Sequence, residues 1–165
     1  MSHAFTLLAS PVGVLTLVAR ESSLAAVLWE QERANRAVLG ELHRDDGHPV
    51  LQETSRQLGE YFAGEREAFD LPLSFVGTAF QRQVWEALLS IPFGETCSYA
   101  QIAAQIGNPA AVRAVGAANG RNPISIIAPC HRVIGSAGTL TGFAGGLEAK
   151  RYLLNLEARQ GALGF

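Results

Sequence analysis

The sequence Ile127-Ala128-Pro129-Cys130-His131-Arg132-Val133-Ile134 sets a polar, reactive core inside an apolar segment. A thiol among apolar side chains normally stays protonated, but a neighbouring histidine or cation can lower its pKa and produce a thiolate. A Cys–His pair is the usual arrangement of an activated nucleophile, whereas a lone buried cysteine is usually a core residue. On a strand, neighbouring side chains would point to opposite faces, so adjacency alone does not establish the pair. Cys130 and His131 are therefore candidate catalytic residues, preceded by Pro129, which stiffens the backbone before the sulfur.

The composition predicts a globular protein with reduced thiols. With 165 residues, 48% of them hydrophobic, the chain is one medium domain or a small domain joined to another. Its two cysteines, Cys97 and Cys130, are too few for a disulfide framework, and no Cys/His spacing indicates a zinc site. The N-terminus lacks the pattern of a signal peptide, and no apolar stretch is long enough to span a bilayer. We expect a cytoplasmic protein that binds no membrane, no metal and no other cofactor.

The charge is distributed unevenly along the chain. The net charge is −2, yet residues 97–147 contain no Asp or Glu and hold Arg113, Arg121 and Arg132. Three of the 13 basic residues lie there, so the remaining 10 accompany all 15 acidic residues. A locally cationic region can attract a polyanion even when the whole protein is acidic, although a few solvated arginines in an acid-poor core would give the same pattern.

The first half of the chain has the pattern of a small α+β scaffold. Apolar runs separated by turn residues predict two or three antiparallel strands, at residues 3–9, 14–20 and 24–29. A charged helix or loop follows at 30–47, then a helix at 49–62 with apolar residues at helical spacing. The alternation at 69–75 predicts an edge strand, where proline is tolerated. A linker near Gly77 ends this half.

The second half is mainly helical. Thr78 and Ser98 have the character of helix caps, and the predicted helices cover residues 79–90, 99–106, 110–119 and 147–159. The second and third of these, joined by a Gly-containing turn, predict a helix-turn-helix whose slim second helix carries Arg113. Ala-rich helices also pack closely for structural reasons alone. Residues 136–146 are expected to form a glycine-rich loop with one aromatic residue, Phe143.

Glu157 lies near the apolar face of the last predicted helix. A carboxylate near a helix C-terminus is disfavoured by the helix dipole. The side chain therefore either frays into solvent or is paired for a functional reason.

Residues 78–157 together resemble the DNA-binding and active-site domain of the O6-alkylguanine-DNA alkyltransferases. The matching motifs follow the family's order and near-family spacing over about half of the chain: Phe80-Gln81-Arg82-Gln83-Val84-Trp85, Phe93-Gly94-Glu95-Thr96, Ser98-Tyr99, Arg113-Ala114-Val115-Gly116, Asn122-Pro123, Pro129-Cys130-His131-Arg132-Val133-Ile134 and Gly145-Gly146-Leu147. The first half resembles the family's ribonuclease-H-like domain only loosely. The resemblance implies an α/β (α+β) protein with a ribonuclease-H-like domain at 1–77 and a DNA-binding, alkyl-acceptor domain at 78–165.

The resemblance also implies an activity and a role for each active-site residue. Duplex DNA carrying O6-alkylguanine, with O4-alkylthymine as a further candidate substrate, would be repaired by transfer of the alkyl group to Cys130. His131 would take the thiol proton through a water molecule, and Glu157 would orient and polarise His131. Asn122 would lie in the hinge between the recognition helix and the active site. The reaction would need no cofactor and no obligate protein partner, and each chain would act once.

Further residues match the family's DNA-contacting and pocket positions. Arg113 matches the arginine that enters the duplex in place of the extruded nucleotide, and Tyr99 the tyrosine that helps rotate the target phosphate. Asn108 and Ser136 match positions that touch DNA or border the pocket, which Pro129 and Phe143 line. An extruded base is the only one whose alkyl carbon a thiolate could reach, because the duplex otherwise encloses it.

The sequence departs from the family pattern in ways that affect the pocket more than the reaction. Phe143 stands where the family usually has tyrosine, so a stacking wall remains but its hydroxyl is lost. Ala100 replaces a polar DNA contact of some members, and two cysteines cannot build the zinc site of some relatives. Related binders that do not repair DNA replace the acceptor cysteine, which this chain keeps as Cys130.

Two other functions compete with repair. A non-catalytic helix-turn-helix module would explain Arg113 and the cationic region at 97–147, but it would leave Cys130 and His131 without a function. A cysteine hydrolase would explain that pair, but it predicts repeated turnover and needs no DNA.

Overall fold

The computed structural model describes residues 3–30, 39–135, 138 and 143–160. Its first half contains a four-stranded sheet with the order β3-β2-β1-β4. The strands are β1 (His3–Ser10), β2 (Gly13–Arg20), β3 (Ser23–Leu28) and β4 (Leu42–Arg44). β1, β2 and β3 pair antiparallel, as the sequence predicts, whereas β4 lies parallel to β1. The sequence does not predict β4, because its three exposed residues carry no apolar alternation.

Helix α1 (Pro49–Phe62) packs against this sheet and confirms the predicted helix. It begins with proline at a position where no N–H is needed, after His48, whose ring accepts a hydrogen bond from the Val50 N–H at 3.2 Å. Its buried face includes Leu51, Leu58 and Tyr61.

The predicted edge strand at 69–75 is wrong. Within the described chain, this segment meets the sheet at a single bridge between Leu73 and Leu24. Leu24 N–H donates to the Pro72 carbonyl at 2.8 Å, and Ser74 N–H donates to the Leu24 carbonyl at 2.9 Å. Pro72 has no N–H to extend the ladder, so the pairing stops there.

The helical half begins at α2 (Ala79–Leu88), followed by α3 (Tyr99–Gln105) and α4 (Val112–Gly120). Thr78 and Ser98 cap α2 and α3 as predicted, each with a reciprocal hydrogen bond to the glutamine three residues later. α3 and α4 pack together as a helix-turn-helix, and Trp85 of α2 donates to the Ala118 carbonyl of α4 at 2.8 Å. α4 begins two residues later than predicted, without a side-chain cap at Ala111.

The Cys-His-Arg stretch is a short 3₁₀ turn (Cys130–Arg132), not a strand. Successive side chains of such a turn are separated by about a third of a rotation, so Cys130 and His131 do not point to opposite faces. The turn leads into β6 (Val133–Ile134), which pairs parallel with β5 (Cys97–Ser98). The sequence predicts neither two-residue strand, because neither is long enough to show a period.

Helix α5 (Leu147–Gln160) joins the two halves of the molecule. Its Ala149, Leu153 and Leu156 belong to the same apolar core as the sheet and α1. Residues 124–127 reach this core as well, and Val27 N–H of β3 donates to the Pro123 carbonyl at 2.9 Å. The active-site segment therefore rests on the sheet domain. Among the described residues, no helix is both long and apolar enough to cross a membrane.

Replacing Leu153 by alanine should test the packing of α5 in the core that it shares with the sheet and α1. Leu153 is fully buried, so L153A should lower the free energy of unfolding by about 2–5 kcal/mol. L147A, on the same helix at a site 44% exposed, is the control and should cost under about 0.5 kcal/mol. Urea denaturation measures both, and similar losses in the two variants would contradict the role of α5 in the shared core.

Candidate active site

A buried carboxylate organises the site. Glu157, 1% exposed on α5, accepts from His131 Nε2 at 2.7 Å and from the Tyr61 hydroxyl at 2.6 Å, both at Oε2. Arg132 binds both oxygens, with Nε at 2.8 Å from Oε1 and Nη2 at 3.1 Å from Oε2. The expectation of a paired Glu157 is confirmed, and the alternative of a frayed side chain is wrong.

The pKa values of this cluster favour a carboxylate beside a neutral imidazole. Burial alone would raise the pKa of Glu157, but His131 and Arg132 outweigh it and hold that pKa well below its ordinary range. Burial lowers the pKa of His131, and the attraction of Glu157 only partly opposes this effect. The charge of Glu157 is balanced by Arg132, so His131 does not need to be protonated in the resting state.

The hydrogen bonds assign the tautomer of His131. Because Glu157 is ionised and can only accept, Nε2 of the neutral ring carries the proton. Nδ1 is then an acceptor, and it is buried with no hydrogen-bond partner in the described part of the chain. The imidazole therefore presents an available basic lone pair.

The Cys130 thiol is 3% exposed and lies beside a buried cation that sequence reasoning missed. Lys150 of α5 is fully buried, and its Nζ donates to the Val133 carbonyl at 2.7 Å. Burial lowers the pKa of Lys150, while attraction to Cys130 raises it. Lys150 precedes Glu157 by two helical turns, a spacing that places both on one face and could have revealed it.

Asn122 fastens the segment that carries Cys130. Its fully buried amide donates to the Ala128 carbonyl at 2.8 Å and accepts from the Ile124 N–H at 3.0 Å. Between them, Ile126 has a φ of 73°, a left-handed conformation that is strained for a β-branched residue. Asn122 thus links the end of α4 to a conformationally constrained loop.

Phe143 lies between the two halves of the molecule. Its ring meets Trp29, at the end of β3, edge to face with centroids 5.4 Å apart, and Lys150 Nζ lies 5.8 Å from its centroid. Trp29 donates to the Ser125 hydroxyl at 3.1 Å and leaves no room for a side chain at Gly145, where an added Cβ would lie 2.6 Å from the indole. Sequence reasoning missed Trp29, which comes from the sheet domain.

The predicted DNA-contacting residues lie on the helix-turn-helix, apart from the buried cluster. Arg113 is exposed in the first turn of α4, Asn108 is exposed in the turn before it, and Tyr99 is half-buried at the start of α3. Pro129 is buried next to Cys130. Ser136 falls outside the described residues.

The described residues contain no cluster of three or more His, Cys, Asp or Glu side chains able to hold a metal ion. The buried cluster brings together a thiol, an imidazole base, a carboxylate and two cations, Arg132 and Lys150.

Both halves of the chain match one family. Residues 79–159 match the description "6-O-methylguanine DNA methyltransferase, DNA binding domain". Residues 4–75 match "6-O-methylguanine DNA methyltransferase, ribonuclease-like domain".

Individual relatives agree with the family matches. A methylated-DNA–protein-cysteine methyltransferase of Mycolicibacterium paratuberculosis is 49% identical over 91% of this chain and 89% of its own length. A protein of the same name from Methanosarcina acetivorans is 48% identical over 93% of this chain and 97% of its own. The solved structure of Mycobacterium tuberculosis OGT in complex with DNA is 47% identical, covers 97% of this chain and 94% of that one, and superposes with a TM-score of 0.87.

The buried pair predicts a defined dependence of stability on pH. E157Q removes the charge that balances Arg132 and should lower the free energy of unfolding by about 3–5 kcal/mol near neutral pH. Because the folded-state pKa of Glu157 lies below its ordinary 4.5, this contribution is complete above pH 4.5 and is lost as the pH falls towards the folded-state pKa. The difference between wild type and E157Q should therefore be constant near neutrality and narrow below pH 4.5.

Urea denaturation over a pH series measures this difference. E53Q, which breaks the exposed Glu53–Arg56 pair on α1, is the control and should change stability far less. Equal losses in the two variants would show that the buried carboxylate does not hold the site together.

Proposed function

Because the chain belongs to the 6-O-methylguanine DNA methyltransferase family, we propose that Cys130 is the residue that accepts the alkyl group. The protein repairs DNA by transferring an alkyl group from a damaged base to a cysteine of its own chain. The observation that carries the assignment is the available Nδ1 of His131, a base adjacent in the chain to Cys130. Burial raises the pKa of the other thiol, Cys97, which lowers the fraction of it present as a nucleophilic thiolate.

The substrate we propose is O6-alkylguanine in duplex DNA, with O4-alkylthymine as a second substrate of the same chemistry. The Cys130 thiol gives its proton to His131 Nδ1 through a bridging water molecule, and the thiolate attacks the alkyl carbon. An S–C bond forms, the C–O bond breaks, and its electron pair leaves with the oxygen of the base. The base regains a proton from solvent or from His131. Glu157 stabilises the imidazolium, and Lys150 favours the thiolate by its charge.

The damaged base must be flipped out of the duplex before this step. Unstacking a nucleotide costs a few kcal/mol, and a cation inserted into the gap reduces that cost. Arg113, exposed at the start of α4, is proposed to fill the gap from the minor groove, with Tyr99 rotating the phosphate. Asn108 and Ser136 are proposed to contact DNA or border the pocket, Ser136 from the sequence match alone.

Phe143 and Pro129 are proposed to wall the pocket, and Asn122 to serve as the hinge. The bonds of Asn122 to Ile124 and Ala128 support the hinge, because they tie α4 to the loop before Cys130. Phenylalanine in place of tyrosine gives this pocket a stacking wall without a hydroxyl donor, so we expect it to rely on shape more than on hydrogen bonding there.

We further propose the domain division 1–77 and 78–165, which falls between the two family matches at 4–75 and 79–159. We also propose that no obligate protein partner is needed, because the proposed acceptor Cys130 and its base His131 lie in one chain. A reducing, cytoplasmic location would suit an acceptor that must remain a thiol.

The transfer should stop at one equivalent. A thioether at Cys130 is a poor leaving group, and no described residue beside it would remove the alkyl group. With excess duplex carrying labelled O6-methylguanine, label transferred to protein should reach one equivalent per chain and be found on the Cys130 peptide. C130S should transfer none, while C97S should behave like the wild type.

Other outcomes identify the competing functions. Release of label beyond one equivalent would indicate a hydrolase. DNA binding with no transfer by the wild type would indicate a helix-turn-helix module without catalysis.

Arg113 should matter for duplex substrate and not for the chemistry. R113A should slow repair of duplex O6-methylguanine by roughly tenfold or more, since losing about 1.4 kcal/mol of flipping assistance corresponds to a factor of ten. Its rate with the small base O6-benzylguanine should stay near the wild-type value. R121A removes an equal charge from the exposed turn after α4 and is the control. Equal slowing of R113A on both substrates would assign Arg113 to the fold or to the thiolate.

A further inference from the structure

Tyr61 connects the sheet domain to the active-site hydrogen bonds. It lies in the last turn of α1, is 1% exposed, and donates its hydroxyl to Glu157 Oε2 at 2.6 Å. The same oxygen receives His131 Nε2 at 2.7 Å. A residue of the first half thus shares one carboxylate oxygen with the base beside Cys130.

Aromatic packing fixes the direction of this hydroxyl. The Tyr61 ring has neighbouring ring centroids at 5.3 Å for Phe62, 5.4 Å for Phe69 and 6.3 Å for Phe93. Phe93 also lies under the guanidinium of Arg132, 5.7 Å from its centroid. Tyr61 therefore belongs to a packed layer that also contacts the cation bound to Glu157.

We propose that Tyr61 is a positioning residue for alkyl transfer, whose hydroxyl limits how strongly Glu157 accepts from His131 and so sets the readiness of His131 to take the Cys130 proton. This inference rests on the proposed role of Cys130 as the alkyl acceptor. Tyr61 acts through Glu157 and His131.

The charged and titratable groups described around the Tyr61–Glu157–His131 hydrogen bonds come from three structural elements. Arg132 and His131 face Glu157 from the 3₁₀ turn, Tyr61 faces it from α1, and Lys150 and Tyr152 of α5 act on His131 and Tyr61 respectively. Burial, reinforced by Glu157, raises the pKa of Tyr61 well above its ordinary value. The hydroxyl therefore keeps its proton, and remains a donor, at and well above neutral pH.

The direction of the effect follows from competition at Oε2. Y61F removes one donor and leaves the carboxylate a stronger acceptor for His131, which stabilises the imidazolium. More of the Cys130 proton should then pass to His131 at a given pH, so the midpoint of thiolate formation should fall by roughly half a unit to one unit. Arg132 still holds both carboxylate oxygens, so the geometry of Glu157 is kept.

The experiment follows the rate constant for O6-benzylguanine against pH, without DNA, in the full chain. Titration of thiolate absorbance in a C97S background reports Cys130 directly. T54V is the matched control, since Thr54 is a fully buried residue on the same helix whose hydroxyl donates to the Val50 carbonyl at 2.7 Å, within α1. We expect a lowered midpoint in Y61F and the wild-type midpoint in T54V.

A second variant keeps the proposal testable if Y61F folds poorly. Fluorotyrosine introduced at position 61 keeps the ring and hydroxyl but makes the hydroxyl a stronger donor, so the midpoint should rise. An unchanged or raised midpoint in Y61F, or an unchanged midpoint with fluorotyrosine, would overturn the role of Tyr61. Reaction of C130S with O6-benzylguanine would instead refute the proposed acceptor, so the two failures are distinguishable.

Discussion

The ion pair between Glu157 and Arg132 is the interaction on which the site depends. An isolated buried carboxylate would be strongly destabilising, and it is tolerated here because two guanidinium nitrogens and two further donors surround it. With Arg132 balancing the charge, His131 can remain neutral and still have a fixed ring orientation. The pair therefore separates two requirements that a simple His–Glu dyad would combine: electrostatic balance and orientation of the base.

The connection between the two halves places this pair at their junction. α5 supplies Glu157 and Lys150 on one face and apolar residues to the sheet core on the same helix. The sheet domain contributes Tyr61 to the carboxylate and Trp29 to the wall behind Phe143. The ribonuclease-like half thus contributes side chains to the architecture of the site, in addition to supporting the fold.

The sequence predicts the structural elements that are determined by neighbouring residues, such as helix starts and strands. The cap residues Thr78 and Ser98 mark two helix starts correctly, and the apolar runs mark the three antiparallel strands. Cys130, His131 and Glu157 stand out because their residue types are unusual in apolar surroundings. Tyr61, Trp29 and Lys150 do not, because an aromatic or lysine on an amphipathic element has no local feature that reveals a partner far away in the sequence. The family-derived roles of the exposed residues remain predictions.

The buried ammonium of Lys150 should make the alkylated protein less stable than the unreacted one. In the proposed transfer, the developing thiolate of Cys130 offsets this cation before reaction, and a neutral thioether occupies the same place afterwards. Among the described residues, the ammonium is then left with the Val133 carbonyl and the face of Phe143, neither of which carries a full negative charge. An alkylated chain should therefore unfold more readily than an unreacted one. The lost charge balance should shorten its lifetime, because unfolded chains are the ones that proteases degrade.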